Sequence, residues 1–182
     1  MGCNCNKNNG KNENNKQTEQ PQFRKEEAVP QTGLKQKLTM MQSFAMAIAS
    51  RGLTDQKIAK PVKQLRVLSC FGNQAQGGVL PPCEHLKKSS TEGKFYCGGC
   101  GCGDRKGTWL VGDDAEYSKL DYPKLNCPLQ MPGFSNYEKS KPDEANPPIT
   151  RRFYIDQLSY KEIEKINVSN PDPPGKPTEE QK

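Results

Sequence analysis

Six of the eight cysteines fall between Cys70 and Cys127, and the only histidine, His85, stands two places after Cys83. Thiols at this density bind metal, pair as disulfides or act as nucleophiles. The densest stretch is Phe95-Tyr96-Cys97-Gly98-Gly99-Cys100-Gly101-Cys102-Gly103. A C-x2-C turn lets two thiolates point at one ion while the intervening backbone N–H groups face the sulfurs, and a glycine after the second cysteine relieves the tight backbone. The candidate metal ligands are therefore Cys70, Cys83, His85, Cys97, Cys100, Cys102 and Cys127.

The start of the chain lacks the pattern of an export signal, which places these thiols in a reducing compartment and argues against disulfides. One tetrahedral zinc ion takes four ligands and leaves two of the six cysteines over, whereas two zinc ions need bridging thiolates. A [4Fe–4S] or [2Fe–2S] cluster also takes four, and Cys127-Pro128 has the form that closes ferredoxin cysteine runs. Zn2+ is the first expectation and an iron–sulfur cluster the alternative, the latter held by Cys97, Cys100, Cys102 and Cys127. Lys87, Lys88, Arg105, Lys106 and Lys124 are the cations at hand to offset the charge of either.

Known catalytic arrangements do not fit. Cys83-Glu84-His85 supplies half of a Rieske motif, but Cys100 stands where its second histidine belongs. A zinc deaminase needs H-x-E and then P-C-x-x-C, and here Glu84 precedes His85 and Tyr96 precedes Cys97. A nucleophilic Cys–His pair through His85, or an open metal position served by Glu84, Asp104 or His85, finds no recognisable arrangement, so no catalytic residue is assigned.

The elements that must position the cysteines are short. From Lys37 to Ser50, Leu38, Met41, Phe44, Ala45 and Ile48 recur at intervals of three and four, the spacing of one helix face, and Gly52 is the expected stop. Thr54 or Asp55 caps a second short turn through Ile58 and Ala59 that ends near Lys60, ahead of Pro61. Leu65, Val67 and Leu68 read as a short strand leading into Cys70. After the cysteines, Met131-Pro132-Gly133-Phe134 reads as a turn, Lys139–Pro148 as a linker and Arg152–Ile166 as a helix. Leu158-Ser159-Tyr160-Lys161-Glu162-Ile163 has the flavour of a helix-turn-helix opening, but Pro171, Pro173 and Pro174 leave no room for a second, DNA-reading helix.

With 32% hydrophobic and 7% aromatic residues, the folded part must be smaller than the 182-residue whole. Residues 1–35 read as a disordered polar and basic head, 36–135 as a helix plus the cysteine module, 136–150 as a linker, 151–166 as a helix and 167–182 as a disordered tail. Cys3 and Cys5 lie in the head, and Asn6 stands where myristoylation at Gly2 would need Ser or Thr. The net charge of +6 is concentrated upstream, with 12 Lys/Arg against 5 Asp/Glu in residues 1–66. Arg51, Lys57, Lys60, Lys63 and Arg66 there form a basic region suited to a protein partner or, through phosphate contacts, to nucleic acid. No apolar run spans a bilayer, so a membrane partner is not expected and a cytoplasmic location is.

Arg66-Val67-Leu68-Ser69-Cys70, Cys97-Gly98-Gly99-Cys100-Gly101-Cys102 and Cys127-Pro128-Leu129 together resemble the small cysteine-rich proteins of phage and bacterial genomes with a C-x2-C-G-C…C-P-L pattern. The likeness covers roughly residues 40–130. It implies a metal module in a bacterial or phage setting, in the host cytoplasm or a virion, without implying a task. Those proteins usually open with a C-x2-C pair, where here twelve residues separate Cys70 from Cys83. The expected architecture is a small irregular α+β module stabilised by metal, with a zinc-ribbon-like knuckle, an amphipathic N-terminal helix and disordered tails, acting as a structural or interaction protein rather than an enzyme.

Overall fold

A computed structural model describes residues 20–26, 33–54, 57–112, 117–169 and 171. The chain forms helices α1 (Gly33–Thr54) and α2 (Lys60–Phe71), strands β1 (Leu86–Lys88) and β2 (Phe95–Cys97), and helices α3 (Arg151–Gln157) and α4 (Tyr160–Glu164), with short 3-10 turns between. This is the small, irregular α+β class expected. Cys3, Cys5 and most of both terminal tracts lie outside the described residues.

The organising element is α2, and here the sequence reading needs correction. Pro61 does not end a turn; it sits in the first turn of α2, where its missing N–H costs nothing. Leu65, Val67 and Leu68 are helical, so Cys70 is carried on a helix end rather than a strand. Gln64, Arg66, Val67, Leu68, Ser69 and Phe71 are buried, which means that loops enclose the helix on most sides. Gly72 ends it with φ +71, in close contact with the next loop: a Cβ there would stand 2.2 Å from the Leu80 carbonyl oxygen.

Arg66 ties those loops to α2. Its guanidinium donates to the carbonyls of Gly133 (2.6 Å), Tyr122 (2.7 Å), Leu120 (3.0 Å) and Pro123 (3.3 Å). The Ser69 hydroxyl adds a bond to Pro132, and the Gln64 amide reaches the carbonyls of Glu164, at the end of α4, and Ile166, just beyond it. Around this frame Val67, Leu68, Phe71, Leu80, Phe95, Leu120, Leu125, Met131 and Ile155 form the core.

α1 extends beyond both expected ends and does not stop at Gly52. Its packing side also differs from the expected one. Met40, Ser43, Phe44 and Ala47 are buried, with Phe44 edge-on to Tyr122 at 5.5 Å, whereas Leu38, Met41, Ala45 and Ile48 face solvent. The C-terminal helix is two helices, because Ser159 opens α4 with a capping box to Glu162 and leaves Leu158 extended at the break. Residues 20–26, placed by sequence in the head, join the fold: Phe23 bridges Ile149, and Glu26 accepts from the Arg152 backbone at 2.7 Å. The segment read as a linker is fastened too, since the Tyr137 and Ser140 hydroxyls each donate to Asp156 at 2.6 Å.

Candidate metal centre

Three separate pieces of chain deliver the thiols. α2 presents Cys70 in its last turn. The antiparallel β1–β2 hairpin, with Leu86 opposite Cys97 and Lys88 opposite Phe95, carries Cys83 and His85 at its entry and Cys97 at its exit. The Cys83 amide donates to the Cys70 carbonyl at 2.9 Å, which fixes the hairpin against the helix end. Cys127 arrives from the loop that Arg66 organises.

Cys83 and Cys127 sit in turns of one design. In each, the amide three residues on bonds back to the cysteine carbonyl, Leu86 to Cys83 at 2.9 Å and Gln130 to Cys127 at 3.0 Å. In each, the amide two residues on faces the sulfur, His85 toward Cys83 and Leu129 toward Cys127, with Met131 adding a second donor there. Backbone N–H groups aimed at sulfur are the feature expected of the C-x2-C turn, found here at two cysteines outside it. Gly99 serves packing: a Cβ there would come within 2.6 Å of the His85 ring.

Cys70, Cys83, His85, Cys97, Cys100 and Cys127 line one cavity of about 30 Å³, closed by Leu110, Leu120, Leu125, Leu129 and Phe134. Cys102 does not join them; it turns to the opposite side, lining a groove against α1. All six cysteines are free thiols. As the side chains stand, no three His, Cys, Asp or Glu among the described residues are grouped so as to hold a metal ion.

The electrostatics separate the thiols. Burial, and after it the nearness of Cys127 and Cys83, push the Cys70 thiol well up, and burial pushes Cys83 up and Cys127 to about 12. Cys97 is raised by its hydrogen bond to Cys100, by burial and by Cys127 and Cys70. Cys100 goes the other way: hydrogen bonds from Cys102 and Cys97, and then the Lys119 ammonium, hold it far below the ordinary thiol range. Lys119 donates to the Cys100 sulfur at 2.9 Å and lies over the Phe44 ring at 4.5 Å.

Sequence reading missed the two cations that matter here. Lys119 is 3% exposed and Arg151 is 7% exposed. Neither has a carboxylate ion-pair partner among the described residues. Burial pulls the Lys119 ammonium down, but Cys100 and Cys102 raise it further, so its charge is kept. Burial lowers Arg151 while Cys83 and Cys70 offset part of the loss; one of its nitrogens donates to Pro81, and Nη1 makes no hydrogen bond among the described residues. Lys87, Lys88, Arg105, Lys106 and Lys124, the cations expected from sequence, are all exposed. The basic region is also reduced: Arg66 is internal, Lys63 forms a 2.7 Å ion pair with Asp121, and Arg51 stacks 3.9 Å over Tyr117.

Comparison with protein-family models, with curated proteins and with solved structures found no match for this chain. Among the described residues no helix is long and apolar enough to cross a membrane.

Proposed function

We propose that this chain is a metal-binding structural and interaction protein, with one zinc ion held by Cys70, Cys83, Cys97 and Cys127. The observation that carries the reading is the buried cation Arg151, whose largest charge partners are the Cys83 and Cys70 sulfurs, ahead of Glu26. While Cys83 and Cys70 are protonated, Glu26 is the counter-charge left to Arg151, and a buried cation so poorly compensated is unfavourable. A divalent ion reverses the balance by deprotonating the four sulfurs, leaving a net charge of −2 for Arg151 to offset in part.

Four further features support this assignment. These four sulfurs, far apart in sequence, sit close enough for their charges to oppose one another, whereas Cys100 is turned to Lys119. The N–H groups behind Cys83 and Cys127 are set to receive thiolate charge. Side-chain rotation of the cysteines has to draw the sulfurs inward around the small cavity, about 30 Å³, that they line. Lys119, between Cys100 and the α1 residue Phe44, sets a positive charge that acts on Cys70 and Cys97 and so links the site to the N-terminal helix. The bacterial or phage setting rests on the sequence resemblance alone.

Anaerobic purification with elemental analysis and a visible spectrum on one sample tests the proposal. One zinc per chain in a colourless protein is expected, lost in Cys70→Ser, Cys83→Ser, Cys97→Ser and Cys127→Ser and kept in Cys102→Ser. Stoichiometric iron with absorption near about 400 nm would replace zinc by an iron–sulfur cluster and make the chain an electron carrier or sensor. Protein free of both metals would sink the proposal.

A further inference from the structure

The solvent side of α1 carries an ordered pattern. Leu34, Leu38, Met41, Ala45 and Ile48 follow one another at intervals of four, three, four and three, the repeat of a coiled-coil seam. Leu34 is 87% exposed, Leu38 59%, Ile48 46% and Met41 44%. The helix therefore has two apolar stripes: Met40, Phe44 and Ala47 hold it to the body, and the heptad stripe is left in water. An apolar strip of this length on a helix already anchored elsewhere is the mark of a binding surface.

Its surroundings select the occupant. Met41, Phe44, Ala45 and Ile48 form one wall of a groove of about 420 Å³, and Cys102, Arg105 and Gly107 form the other. A groove beside a heptad seam accepts a rod, and an α-helix is the rod whose side chains repeat at that interval. α1 contains Lys35, Lys37 and Arg51 and no Asp or Glu. Arg105 adds a further exposed cation on the opposite wall. A second copy of α1 would set these charges against their like. Residues 1–19 and 172–182 contain no Leu, Ile, Val or aromatic residue with which to fill the seam.

We infer that α1 docks an amphipathic helix of a partner protein whose apolar heptad seam is flanked by Asp and Glu. The inference deepens the interaction role proposed above by naming its partner. It requires only that α1 be held on the body through Met40, Phe44 and Ala47.

The test uses the full-length metal-loaded chain and two fluorescent helical peptides of about three heptads, alike in their Leu seam and flanked by Glu in one and Lys in the other. The Glu peptide is expected to bind at least about tenfold more tightly, with the preference weakening as salt rises. Leu38→Glu combined with Met41→Glu, both at exposed positions, should abolish binding, and Lys35→Glu combined with Lys37→Glu should move the preference toward the Lys peptide. Far-UV circular dichroism and zinc content of every variant, measured alongside, distinguish loss of the seam from loss of the metal-held body. Equal binding of both peptides, or of neither, overturns the inference. So does selective binding to vesicles of anionic phospholipid, or a dimer in sedimentation that the Leu38→Glu, Met41→Glu variant dissolves.

Discussion

Arg66 and Lys119 are both buried cations on either side of one core, but their charges are met in different ways. Arg66 spends its guanidinium on four backbone carbonyls of the loops around it, and burial lowers it only to about 10, so it stays charged at neutral pH. Among the described residues the Lys119 ammonium meets no carbonyl or carboxylate, only a sulfur and an aromatic face. The first region is completed by the chain itself, and a cation there acts as a clamp. In the second, the cation is stable only if the sulfur beside it is anionic. Two buried cations thus differ in what compensates them, backbone dipoles at Arg66 and a sulfur at Lys119.

The sharpest way to break this contrast is Arg66→Met. It leaves four buried carbonyls without their donor, and a loss of about 3 kcal/mol or more is expected in urea unfolding. A loss under about 1 kcal/mol would mean that the loops hold themselves. Gly72→Ala tests the same region through the backbone: its Cβ at φ +71 would press on the Leu80 carbonyl, and about 2 kcal/mol of destabilisation is expected in the same assay.

Lys119→Met addresses the other region. Zinc affinity by chelator competition should fall roughly tenfold, because the Lys119 charge acts on Cys70 and Cys97, and the metal-free protein should lose stability too, because the Cys100 sulfur is left without its cation. Loss of stability in the metal-free protein with unchanged affinity would make Lys119 an ordinary packing residue. The smallest effect concerns acid. Burial alone would raise the Asp121 carboxyl, but Lys63 and the Ser118 hydroxyl and amide together hold it below the ordinary carboxylate range. A depressed folded-state value stabilises the fold above the unfolded-state value near about 3.9, and that contribution disappears as pH falls through the lower one. Asp121→Asn should therefore flatten the stability-against-pH curve below about pH 4 and leave the slope near neutrality unchanged.

Residue type and spacing alone revealed the cysteine cluster, because thiols announce their chemistry and five of the six, with His85, do meet at one cavity. Cys102 was not separable from them by spacing; the turn after Cys100 sends it to the α1 side. The existence of α1 was legible in its three-and-four spacing, but that spacing fits two overlapping stripes, and only the fit of small Ser43 and Ala47 against the body decides which is buried. α2 was misread because Pro61 marks a helix start as well as an end, and Leu65, Val67 and Leu68 fit a strand as readily as a helix. Lys119 and Arg151 carry no local mark, since a lysine or arginine in sequence is ordinarily a solvated group.

The bond from Gln64 to the carbonyl of Glu164 spans 100 residues. On the ribosome, α2 therefore emerges long before the strand of chain that closes it, and no N-terminal fragment can reproduce the finished environment of Cys70. The nascent thiols pass through a period in which they are exposed to cellular oxidants and to whatever metal is most available.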